Sequence, residues 1–180
     1  IAADAGVDDV ELISANALHR RLTADELKHI VGERVFRSFW PQGALYNFDA
    51  EDRDALSHLG MTDRGEDVEI STRAVESDLL VYVNVNLVAM DGGHKSVGIG
   101  LASYTSLRHH HNAKTMVHSR SFMDHKHSEM HHSAWRMGRI IKDTVKVFQI
   151  ETTLNNDVFP SSFSFLQKRE TSGDEPWGDE

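Results

Sequence analysis

Two groups of residues in this chain have the types and spacing to do chemistry. The first is the run Asp91-Gly92-Gly93-His94-Lys95-Ser96, which follows an apolar segment at residues 79–88. Paired glycines let backbone amides approach a ligand closely, and a helix N-terminus attracts anions. A lysine placed there can pair with a phosphate or, once desolvated, act as a nucleophile. The run is not a Walker loop, because the first glycine and the Gly-Lys pair are missing. Taken alone, it favours the plainer reading of a tight turn with an exposed lysine. The second group is histidine. The chain has 12, and eight fall between residues 109 and 132. These fit either a solvated polar surface or a metal or proton-transfer site. His109, His110 and His111 lie about four helical turns beyond Lys95. Successive helical residues are rotated by about 100°, so three adjacent imidazoles cannot face one point. One of them could reach back toward a ligand held by the turn.

Composition narrows the chemistry. The chain has 180 residues, enough for one α/β domain with a hydrophobic core. Its net charge of -9, with the acids spread along the sequence, disfavours nucleic acid and anionic membranes as partners. There is no cysteine, so a metal must be held by His, Asp, Glu or a cofactor. No apolar run is long enough to span a bilayer, and the cytoplasm is the expected location.

The elements that must position these residues follow from local pattern. A glycine-closed helix end is expected over residues 2–5, and a buried strand over 10–14. Residues 16–21 read as a loop. Thr23 and Glu26 form a capping-box pair opening a helix that stops at Gly32. Residues 35–40 favour a strand, Pro41 to Gly43 a turn, and 51–59 a helix ended by Gly60. A short helix is expected over 72–76. The clearest strand covers 79–88, rich in β-branched residues. A helix over 96–110, another over 130–142 and a strand over 145–152 complete the pattern. Met130, Trp135 and Met137 read as core. Strands alternating with helices predict an α/β fold: a mostly parallel sheet with helices on both faces, in a Rossmann-like three-layer arrangement. Residues 1–160 are assigned to this domain and 161–180 to an acidic tail or linker. The expectation is of one domain of a two-domain protein, its first strand lying outside the chain.

The segment Gly92-Gly93-His94-Lys95-Ser96-Val97-Gly98-Ile99-Gly100-Leu101-Ala102, running on to His111, resembles the nickel-dependent lactate racemase family. That family has a Gly-Gly-x-Lys turn, a Pro-Gly-(Leu/Ile)-Ala segment and an Asn-His pair. Here Ile99 takes the proline position and His110 the asparagine position. Further matching segments follow in order. Ser14-Ala15-Asn16-Ala17-Leu18-His19-Arg20 resembles the family's Ala-Thr-Gly-x-His-Arg loop. Leu59-Gly60-Met61-Thr62-Asp63-Arg64-Gly65 resembles its Leu-Gly-x-Thr-x-x-Gly segment, and Val75-Glu76-Ser77-Asp78-Leu79 its lead into the central strand.

The resemblance implies a nickel-pincer nucleotide covalently joined to Lys95, with His111 as the protein ligand to Ni2+. It implies that Gly92, Gly93, His19 and Arg20 line the cofactor or substrate pocket. Sulfur and carbon donors from the cofactor plus one imidazole suit square-planar nickel(II). The implied reaction is racemisation or epimerisation of a small 2-hydroxy acid by hydride transfer to the tethered cofactor, with two histidines moving the hydroxyl proton. Both histidines are absent. Where an Asn-His-Asp motif belongs, the chain reads Asn47-Phe48-Asp49, and residues 84–90 contain no histidine. His94, Asp91 and Asp49 are the candidate replacements. The alternatives are a cofactor- or metal-binding module without racemase activity, and a zinc or nickel site built from histidines and carboxylates within residues 109–132. Association into a homo-oligomer stays open.

Overall fold

The structure is a computed structural model and describes residues 6–87, 91–121 and 123–153. The helix end expected over residues 2–5 and the tail over 161–180 lie outside them. The chain order is β1 (Leu12–Ser14), α1 (Ala24–Val31), α2 (Glu33–Phe39), β2 (Leu45–Asn47), β3 (Leu56–Met61), β4 (Asp67–Ser71), α3 (Thr72–Glu76), β5 (Leu80–Asn86), α4 (Gly93–Gly100), α5 (Tyr104–Leu107), α6 (Ala113–His118), α7 (Glu129–Thr144) and β6 (Val147–Thr153). The fold is α/β. Its strands pair as three two-stranded ladders: β1 with β2 and β5 with β6 in parallel, β3 with β4 antiparallel.

The core joins β4, α4, α5 and α7. Val68, Ile70, Val97, Leu101, Leu107, Met137 and Ile141 are all buried in one cluster. Close helix contact is built from glycine. A Cβ on Gly98 would meet Ile141 at 2.9 Å, and one on Gly138 would meet the Lys95 backbone nitrogen at 3.1 Å. So α7 lies directly against the turn that carries Lys95. The other side of β5–β6 is different. Val81, Val83, Val85, Phe148 and Ile150 are exposed among the described residues, while Tyr82, Asn84 and Asn86 point to the α4 side. The helices expected on both faces therefore cover one face of this ladder among the described residues.

Several local readings hold. The Thr23–Glu26 capping box is present, and α1 ends at Gly32 with a φ of 82°. Gly43 closes the turn after Pro41 in the left-handed region. Other local readings give way to longer-range pairing. Residues 33–39 are a helix rather than a strand, supported by the Glu33–Arg37 ion pair and by Phe36 stacked on Trp40 one turn on. Residues 56–61 are a strand rather than the end of a helix. Asp52 caps one short turn, and the chain then extends to pair with the buried β4. The expected helix over 96–110 breaks after Gly100. The β4 edge captures the next residues: Ser71 donates to the Leu101 carbonyl at 2.9 Å and Ser103 donates to that of Glu69 at 3.0 Å. These bonds hold 101–103 out of helix until the Ser103 side chain caps α5.

Candidate active site

The Gly92–Lys95 turn lies where β5 and β6 end and α4 begins. Two asparagines on the inner side of β5 shape it. Asn84 donates to Ser96 Oγ at 3.2 Å, and Asn86 donates to Glu151 Oε2 at 3.0 Å. The Gly92 amide donates to Ser96 Oγ at 2.7 Å, and the Gly93 amide donates to Glu151 Oε1 at 2.7 Å. The amides expected to line a nucleotide pocket are thus satisfied from within, and the negative end at this helix N-terminus is Glu151. Gly92 is glycine for two reasons. Its φ is 90°, and a Cβ would sit 3.3 Å from both Asn86 and Glu151. Burial, with Asp91 and Glu151 nearby, pushes the Tyr82 phenol up to about 12, so its hydroxyl stays protonated and donates to the Ser96 carbonyl.

Lys95 is not the exposed lysine that the turn alone suggested; only 6% of it is exposed. Burial of this degree is rare for lysine, because an ammonium loses its hydration. Asp91 accepts from the Leu87 amide at 2.8 Å, and His94 is half-buried beside Lys95.

The three adjacent histidines fall into three environments, as the rotation per residue requires. His109 bonds Asp67 at 3.0 Å, and Asp67 is held below the usual carboxylate range by this bond first. His110 is fully buried, and burial pulls its pKa down to about 3, with His111 adding to the effect. His111 opens to solvent on one side and is held below the ordinary imidazole value, by desolvation first and then by His19. The charge of His19 is thus felt at His111. The loop carrying His19 is pinned to α4, because the Ala17 amide donates to the Gly100 carbonyl at 2.9 Å. Lys95 belongs to the first turn of the same helix and Gly100 to its end, about 7 Å apart along the axis.

Arg20 and Asp49 are engaged in ion pairs. Arg20 forms a two-pronged pair with Glu26, extending the capping box, and its side chain is exposed. Asp49 bonds Arg21 and the Glu51 amide. Phe48 is 4% exposed and belongs to the core. Beyond residue 111, His118 bonds the Lys114 carbonyl and His127 bonds Asp124. Among the described residues, no three His, Asp or Glu side chains are grouped to hold a metal. Met130 and Met137 are core, as read, and Trp135 lies under Arg139.

Three contributors escaped the sequence reading. Asn47 ties Ser14, Asn16 and Leu22 together through its side chain. Glu151 caps the Gly-Gly turn. Glu66, buried, binds Arg136 with two hydrogen bonds and also accepts from Ser133 and Thr62. Asn84 and Asn86 did carry a signal: their alternation with valine puts both on one side of the strand.

The sequence profile described as "Lactate racemase N-terminal domain" matches residues 2–124. The chain belongs to the lactate racemase N-terminal domain family. Among solved structures, it is similar to the lactate racemase apoprotein from Thermoanaerobacterium thermosaccharolyticum, with a TM-score of 0.72 and 22% identity. That match covers 85% of this chain and 36% of the other, so this chain spans about a third of that protein's length. A search of curated proteins gave no match. The family segment holds the Gly92–Lys95 turn, His19 and His111, and stops short of β6 and its Glu151.

Proposed function

We propose that this domain carries the cofactor of a nickel-pincer-nucleotide-dependent racemase or epimerase acting on a small 2-hydroxy acid. The observation that carries the reading is the buried Lys95 on the first turn of α4, within the family-matched segment. An amide at Nζ carries no charge, so a buried position accommodates a covalently modified lysine. The donor set fits as well. The chain has no cysteine, so soft donors come with the group, and His111 offers an imidazole that is neutral and open on one side. When bound, the group supplies nickel with sulfur and carbon donors and a ring carbon that takes up hydride.

The chain's own residues tether, ligate and move a proton. Lys95 holds the group and His111 ligates the metal. Gly92 and Gly93 shape the turn rather than contact the nucleotide. Asp49 is held ionised by the Glu51 amide first and then by Arg21, which makes it a poor base. Asp91 spends an oxygen on the Leu87 amide. His94, next to Lys95, is the remaining candidate to move the proton. The cytoplasm is the expected setting, with nucleic acid and membranes disfavoured as partners by the acidic surface; among the described residues no helix is long and apolar enough to cross a membrane.

Phe48 favours a second reading. A packed phenylalanine where the family has an acid–base histidine suits a module that keeps the cofactor without racemising. Denaturing mass spectrometry of protein made together with the cofactor-synthesising enzymes tests the first step. An added mass on Lys95, lost in Lys95→Ala, is expected; an unmodified lysine with no nickel overturns both readings. Turnover of any 2-hydroxy acid that Lys95→Ala abolishes selects the enzyme.

A further inference from the structure

His111 can serve a metal only through a ring nitrogen with a free lone pair, and the residue behind it decides which nitrogen that is. His110 Nδ1 lies 2.8 Å from His111 Nδ1, with the ring centroids 4.6 Å apart. His110 is 0% exposed, and its Nε2 is buried with no hydrogen-bond partner among the described residues. Both backbones are anchored, because the amides of His110 and His111 donate to the Leu107 carbonyl at 3.1 and 2.8 Å. Leu107 itself is core. The two rings are thus held against each other by the turn after α5.

A contact this short between two neutral imidazoles needs one N–H and one lone pair. If His110 carries the shared proton, His111 keeps its own proton on Nε2 and has no lone pair left. If His111 carries it, His111 Nε2 is bare and directed away from His110. Metal-ligating histidines almost always donate the other ring N–H to a fixed acceptor, which sets both tautomer and ring orientation. We propose that His110 is that acceptor: a positioning residue that takes the His111 Nδ1–H and so presents His111 Nε2 to the nickel. Where the family has an asparagine, a side-chain carbonyl could accept the same proton, so His110 preserves the acceptor with a different group. The inference rests on the reading of His111 as the metal ligand.

Nitrogen-15 NMR of the metal-free protein, at a pH where His111 is neutral, reads the tautomer directly from long-range proton–nitrogen correlations. The expected result is a proton on His111 Nδ1. A proton on His111 Nε2 overturns the proposal, and this measurement needs no variant. His110→Asn and His110→Gln, which restore a carbonyl acceptor, should keep the Nδ1–H form. His110→Phe should release it to Nε2–H and cut nickel retention against a chelator by about 10- to 100-fold. Unchanged retention in a folded His110→Phe protein counts against the proposal. The two readings fail separately: the expected tautomer in a protein that never takes up nickel sinks the metal-ligand assignment, whereas nickel uptake with His111 protonated on Nε2 sinks the role of His110.

Discussion

Replacing Glu66 by glutamine should remove about 3 kcal/mol of stability at neutral pH, and the loss should fade in acid. Glu66 is buried between β4 and α7. Burial alone would raise its pKa, but the Arg136, Ser133 and Thr62 bonds outweigh it and bring the value from 4.5 to about 2. At about 1.4 kcal/mol per pH unit, that difference amounts to about 3 kcal/mol favouring the folded, ionised form. The sign follows from a depressed folded-state value. The contribution is complete above the unfolded carboxyl's pKa and disappears as the pH falls from about 4.5 toward 2. Glutamine fills the same space but leaves Arg136 with Glu129 alone, at 3.2 Å on a more exposed carboxylate. Breaking one half of a buried pair costs about 3–5 kcal/mol in general, in agreement with this figure. Urea unfolding of wild type and Glu66→Gln at a series of pH values between neutral and about 3 gives the comparison. A neutral-pH difference below about 1 kcal/mol, or one that does not shrink in acid, refutes the reasoning.

Gly100→Ala should destabilise by about 1–3 kcal/mol, because its Cβ would lie 2.5 Å from the Tyr82 hydroxyl and 2.8 Å from Ala15; thermal melts should show Tyr82→Phe recovering part of the loss. Thr23→Ala should cost about 1 kcal/mol by removing the α1 cap, and Thr23→Ser should recover most of it, both read by denaturant midpoints. Glu151→Leu leaves the Gly93 amide and Asn86 without their acceptor and should cost about 1–3 kcal/mol, with faster amide exchange at Gly93; exchange as slow as in wild type would refute the capping role.

Much of the outline was legible in the sequence because it depends on neighbours along the chain. A hydroxyl three residues before a carboxylate specifies the start of α1, Gly32 its end, and β-branched residues after Asp78 specify β5. The Gly92-Gly93-His94-Lys95 turn and the ordered matching segments pointed to the family without any coordinates. What only tertiary structure decided is set by partners distant in sequence. Residues 56–61 are a strand because β4 pairs with them, and α4 stops at Gly100 because the β4 edge captures Leu101 and Ser103. The turn's amides are filled by Glu151, 58 residues beyond Gly93, and Lys95 is buried because Gly138 lets α7 come close. Burial also separates His110 from His111, two identical side chains that local pattern cannot tell apart. Local hydrogen bonding and rotamer preference reach only a few residues, whereas desolvation depends on everything packed around a group, and it is desolvation that sets what Lys95 and His110 can do.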